Sequence, residues 1–145
     1  MTKRLLAGLV LASALPLAWA QATPVGLWRT IDDDGKTEKS LVRITEQGGV
    51  LSGKVEKITD PAKQAELCSE CRDDRKGKPM LGLEIIRGVR QNTDDKALWD
   101  GGEITDPNNG KSYRVRLQPQ EGGKQLQVRG YIGPFYRNQT WLRVE

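Results

Sequence analysis

The chain has 145 residues, with 23 basic and 19 acidic side chains and no histidine, for a formal net charge of +4. That length fits one domain of ordinary size, and no Lys/Arg block with interleaved aromatics is present to grip nucleic acid. Without histidine there is no imidazole base for a nucleophilic triad of the usual form, and a four-ligand zinc site would need carboxylates.

The first twenty residues read as a secretory signal peptide. Lys3 and Arg4 give a positive start, and Leu5 to Leu17 form an apolar run broken only by Gly8, Ser13 and Pro16. Ala18-Trp19-Ala20 then supplies small residues at the two positions that a signal peptidase reads. The run falls short of the ~20 residues needed to span a bilayer. Residues 1–20 are therefore expected to be removed, leaving residues 21–145 as one domain in the periplasm or outside the cell. No later segment reads as a membrane span.

Short period-two runs separated by turn residues follow. The first is Gly26 to Ile31, ended by Asp32-Asp33-Asp34-Gly35; Lys39 to Glu46 and Val50 to Ile58 come next, joined across Gly48-Gly49 as a tight hairpin. A fourth run spans Leu81 to Val89, and a fifth spans Ala97 to Thr105 with Gly101-Gly102 inside it. Asp106-Pro107-Asn108-Asn109-Gly110 is a strong turn, because proline presets φ and Asn-Gly tolerates positive φ. In the sixth run Tyr113, Val115 and Leu117 alternate with Arg114, Arg116 and Gln118. Gly122-Gly123 turns the chain into a seventh, where Leu126, Val128, Gly130 and Ile132 share one face. The eighth, Asn138 to Val144, sets Trp141 and Arg143 opposite Thr140, Leu142 and Val144. About eight strands joined by tight turns predict an all-β antiparallel meander, and closure into an up-and-down barrel would remove its exposed edges.

Thr59 to Met80 breaks the pattern. Asp60-Pro61 looks like an N-cap followed by proline at the first helical position, which predicts a short helix over Ala62 to Leu67. Cys68-Ser69-Glu70-Cys71 and the charged stretch Arg72 to Lys78 complete an excursion between the third and fourth strands. Two cysteines this close in an oxidising compartment are expected to form a structural disulfide. A thioredoxin-like couple would place its first cysteine at a helix N-terminus, whereas Cys68 follows the predicted helix.

Other chemistry is thinly represented. Asp32-Asp33-Asp34-Gly35 looks like the start of a calcium loop, but its glycine comes too early, and Arg43 and Ile44 stand where a closing glutamate is needed. Asp100, Glu103 and Asp106 are the candidates for carboxylate-only catalysis. No phosphate loop, metal motif or cofactor motif is present, so no cofactor is expected. The aromatics carry more information. Trp28 is expected in the core, whereas Trp99, Tyr131, Phe135 and Tyr136, with Arg129 or Arg137 nearby to hold a polar or anionic end, are the candidate ligand-binding residues at a barrel rim near Gly133-Pro134.

Several ordered segments carry a family resemblance. They are Pro24-Val25-Gly26-Leu27-Trp28, Cys68-Ser69-Glu70-Cys71, Pro79-Met80-Leu81-Gly82-Leu83, Trp99-Asp100-Gly101-Gly102, Asp106-Pro107-Asn108-Asn109-Gly110-Lys111-Ser112-Tyr113, Val128-Arg129-Gly130-Tyr131-Ile132-Gly133 and Gln139-Thr140-Trp141-Leu142-Arg143. Together the chain resembles the exported bacterial family called "domain of unknown function 2147", over essentially all of residues 21–145. The resemblance implies a small lipocalin-like (calycin) β-barrel. Gly26-x-Trp28 also looks like the first-strand signature of lipocalins, in which an arginine of the last strand covers the tryptophan. Arg143 is the matching candidate and Arg129 the second. The family carries no established biochemical activity.

The leading expectation is a non-enzymatic envelope protein that binds a small, partly apolar ligand at the barrel mouth. The alternatives are a protein-interaction or envelope-maintenance module, and an enzyme working through Asp100 and Glu103.

Overall fold

A computed structural model describes residues 22–145; the expected signal peptide lies outside the described residues. Eight strands form in chain order: β1 (Gly26–Ile31), β2 (Glu38–Gln47), β3 (Val50–Ile58), β4 (Glu84–Gln91), β5 (Trp99–Asp106), β6 (Lys111–Gln120), β7 (Gln125–Ile132) and β8 (Phe135–Arg143). Each pairs antiparallel with the next, and β8 returns to β1, so the sheet is a closed barrel. The expected all-β antiparallel barrel is thus the observed one.

Alternation decides which side chains fill it. On β2, Val42 and Ile44 are fully buried while Arg43 and Thr45 point away; on β6, Val115 and Leu117 are buried while Arg114 and Arg116 face outward. Trp28, Leu51, Val89, Leu126 and Trp141 join them in one core. Burying each such side chain contributes about 2 kcal/mol, and closure satisfies the backbone groups that an open edge would leave unpaired. No helix among the described residues is long and apolar enough to cross a membrane.

Several boundaries differ from the alternation by a residue or two, and three differences are larger. β4 begins at Glu84, because residues 81–83 bond to β3 outside the regular ladder, through Gly82 N–H to Val55 O at 2.7 Å and Val55 N–H to Leu83 O at 2.9 Å. β8 begins at Phe135 rather than Asn138: Gly133 and Pro134 alone make the turn, and Ile132 pairs directly with Phe135. The helix expected over Ala62 to Leu67 reduces to a single 3₁₀ turn, Pro61–Lys63, whose cap Asp60 accepts from Ala62 N–H. Residues 61–67 bury no face, so helix has nothing to pack against. The chain instead extends, Leu67 bridging Pro79 and Met80 N–H donating to Glu66 O at 2.9 Å.

The excursion from 59 to 83 is tied down at several points. Cys68 and Cys71 form a disulfide and are both buried. A side chain at Gly110 would run into the Glu70 carbonyl, so only glycine lets the β5–β6 turn lie against this loop. Arg75 is buried, paired with Asp73 and donating to Glu84 O at 3.0 Å; Arg87 grips Asp74 through two bonds of 2.8 and 2.9 Å.

Candidate functional site

An antiparallel meander places alternate connections at opposite ends. The β2–β3, β4–β5 and β6–β7 turns share one end with both ends of the described chain. The β1–β2, β3–β4, β5–β6 and β7–β8 connections share the other.

The first end is closed. The guanidinium of Arg143 lies 4.2 Å from the centre of the Trp28 ring, and it donates to Val25 O at 2.8 Å, Thr23 O at 2.7 Å and Gly123 O. Burial lowers the pKa of Arg143 below its ordinary value. The Trp28 indole N–H donates to Pro24 O at 2.7 Å. A Cβ at Gly26 would sit 2.5 Å from both Arg143 Nη1 and Glu145 O, so the first strand can approach the last only as glycine.

The second end is open onto a cavity of about 420 Å³. Its wall is largely apolar: Val55, Ile85, Ile104, Val128 and Trp141 from the strands, with Met80 reaching in from the excursion. Gly130 leaves part of this space empty, since a Cβ there would meet only Tyr113 Cβ, at 3.9 Å. Thr30 and Ser40, 2.8 Å apart through their hydroxyls, add a polar strip. A hydrogen-bonded chain climbs from the wall to the mouth. The Trp141 indole N–H donates to Gln139 Oε1 at 3.1 Å, the Gln139 amide donates to Asp33 Oδ1 at 3.2 Å, and Asp33 pairs with Arg137 at 3.1 Å. Lys63, Glu66 and Asp106 stand at the rim, as does Lys39, which is 3.7 Å from Asp32. Asp34, in the adjoining turn, has its pKa lowered chiefly by the Thr37 hydroxyl, then by the Thr37 and Lys36 amides. Its oxygens are therefore already occupied within the turn.

The sequence-derived candidates divide among different surroundings: Arg137 lines this cavity, whereas Trp99, Arg129, Tyr131, Phe135 and Tyr136 do not. Trp99 is buried at the start of β5, opposite Leu117 and Gln91, in the half nearer the closed end. Arg129, Tyr131 and Tyr136 lie together on the outer face. Arg129 stacks 4.0 Å from the Tyr136 ring centre, and Tyr131 meets Tyr136 edge-on at 6.2 Å. Phe135 is 73% exposed at the apex of the β7–β8 turn. Of the carboxylate candidates, Asp100 accepts from Asn92 at 3.0 Å and Glu103 is exposed opposite Arg87 and Arg114 on the neighbouring strands; neither lines the cavity, and only Asp106 reaches its mouth. Gly130 lies on the inward face read for the seventh strand and Arg137 is one of the arginines expected near the site, whereas Gln139 is readable only by extending the inward parity of Trp141 toward the open end.

This geometry agrees with what sequence and structure comparison return. Residues 26–143 match the model of a family described as "Uncharacterized protein conserved in bacteria (DUF2147)". The chain belongs to that family. The match runs from the first residue of β1 to the last of β8, so the DUF2147 unit coincides with the barrel. The barrel is also similar to a solved structure described as "Protein HP1028 from the human pathogen Helicobacter pylori belongs to the lipocalin family". The TM-score is 0.72 at 19% sequence identity, over 86% of this chain and 84% of that one, which shows a shared lipocalin-like fold. A search of curated proteins finds no match.

Proposed function

We propose that this DUF2147 protein is an exported envelope protein that binds one small, partly apolar molecule in the open end of its barrel, without chemical turnover. The observation that carries the reading is the 420 Å³ cavity, open at one end only and walled mainly by aliphatic side chains and Trp141. That volume lies within the about 300–1,000 Å³ of small-molecule sites, whose polar groups are few and serve to orient the ligand. Thr30, Ser40 and Gln139 would orient a polar end, while the mouth carries charges of both signs. Export rests on the leader-like residues 1–20 and fits the disulfide, which persists in oxidising compartments.

Titration with anilinonaphthalene sulfonate, followed by probe fluorescence, tests the binding site. Wild type should give a saturable, one-to-one enhancement. Gly130→Phe, which fills the cavity from a position where a Cβ is tolerated, should abolish it while the barrel remains folded by circular dichroism. Unchanged probe binding in a folded Gly130→Phe variant would refute the cavity as the site.

A further inference from the structure

The exposed large hydrophobic side chains of the barrel are unevenly distributed. Leu67, Leu81, Ile132, Phe135 and Tyr136 all belong to the open half; Val144 alone lies at the closed end. Among them the β7–β8 hairpin is ordered by depth. Ile132 and Phe135 face each other at its apex, and Tyr131 pairs with Tyr136 one step behind. Arg114 stands beside Tyr131 on β6, and Arg116 and Arg129 face each other two residues further back, about 7 Å along the strands. Among the described residues no carboxylate lies within ion-pair distance of these three arginines, and Glu103 stands opposite Arg114 on β5. Arg114 and Arg116 lie 5.4 and 5.8 Å from the Tyr131 ring centre, and Arg129 stacks on Tyr136 and bonds Asn138. The Nε of Arg116 is buried without a hydrogen-bond partner.

We propose that this hairpin docks the barrel on an anionic phospholipid bilayer, with the mouth of the cavity at the membrane surface. The order from the apex backward is apolar tip, tyrosine pair, then cations. The same order is found at a bilayer boundary, where apolar side chains enter the acyl edge, tyrosines sit at the headgroups and arginines reach lipid phosphates. Long arginine side chains extend to the headgroup plane from a position set back on the strand. A turn with exposed apolar side chains at its apex suits a deformable surface. Of the aspartates in the neighbouring β1–β2 turn, Asp32 faces Lys39 and Asp33 pairs with Arg137, while Asp34 is bonded by Thr37 and keeps its charge. Since Ile132 belongs to both the hairpin tip and the cavity lining, docking would bring the mouth against the lipid. This inference goes beyond the binding reading and holds whether or not the cavity is filled.

Co-sedimentation with phosphatidylglycerol and with phosphatidylcholine vesicles tests it. The residue 22–145 chain, which carries the whole closed barrel, avoids interference from the apolar leader. Binding to phosphatidylglycerol and not to phosphatidylcholine is expected, with release in about 1 M salt. Each of Arg114→Gln and Arg129→Gln should weaken partitioning about fivefold, and Phe135→Ser about tenfold. Arg90→Gln removes an equal charge near the closed end and should leave partitioning unchanged. Failure of the wild type to bind phosphatidylglycerol at low salt would overturn the proposal. So would equal losses for Arg90→Gln and Arg129→Gln, or a folded Phe135→Ser variant that binds as wild type does.

Discussion

The two ends of this barrel are built on opposite physical terms. At the closed end Arg143 is held by three backbone carbonyls and the Trp28 face, and Trp28 itself is fully buried and bonded to Pro24. At the open end the strands surround empty space, Gly130 withholds a side chain, and five large apolar residues remain in contact with solvent. The contrast separates stability, concentrated where β1 meets β8, from the proposed binding site, which lies where the β1–β2, β3–β4, β5–β6 and β7–β8 connections gather.

The sharpest way to break that contrast is at Trp28. Trp28→Ala should lose about 4 kcal/mol of unfolding free energy, because a large buried ring leaves a cavity that its neighbours only partly fill. Chemical denaturation measures it. Arg143→Ala comes next, at about 3 kcal/mol, since it strips a charged donor from carbonyls left with no replacement. Arg143→Lys should recover only part of this, because an ammonium cannot reproduce the planar fork and the stacking. Removing the disulfide with Cys68→Ala and Cys71→Ala should cost about 2 kcal/mol in the chain-entropy account, a modest figure because the loop is short. In the wild type neither thiol should be alkylated before reduction.

The smallest effect concerns acid. Asp73 has its pKa lowered, first by its bond to Arg75, and Asp74 by its bond to Arg87. A lowered folded-state pKa gives stabilisation that is complete above the unfolded carboxylate value, near about 4, and is lost as pH falls below it. Amides of residues 72–78 should therefore lose protection relative to their intrinsic exchange rate below about pH 4, while those around Trp28 keep theirs. Equal loss of protection at both places would erase the distinction between a locally tethered excursion and the core.

The barrel was legible because its alternation is regular. Val42 and Ile44, Val115 and Leu117, and Leu126 and Val128 each announce one inward face, and the Gly48-Gly49 and Gly133-Pro134 turns mark the reversals. Gly26, Trp28 and Arg143 point to the closed end through the lipocalin resemblance, in which a tight approach, a large ring and a covering cation form a signature. The cavity left none. An empty volume is made by what is missing, and Gly130 in a strand reads equally well as a bend. The aromatic candidates drew attention by type, but side-chain direction depends on strand parity, which sends Tyr131 and Tyr136 outward and Trp99 into packed core. Within the excursion, only Ala62 to Leu67 reads as helix and is not, because Asp60-Pro61 is a genuine local start signal, whereas the pairing of residues 66–68 with 77–80 is non-local.

The most direct test of the account is a methyl and indole NMR titration with anilinonaphthalene sulfonate. Binding at the open end predicts that the Trp141 indole and the Ile85 and Ile104 methyls shift together and saturate, while the Trp28 and Trp99 indoles stay in place. Saturable binding that moves Trp28 and leaves Trp141 unchanged would contradict it.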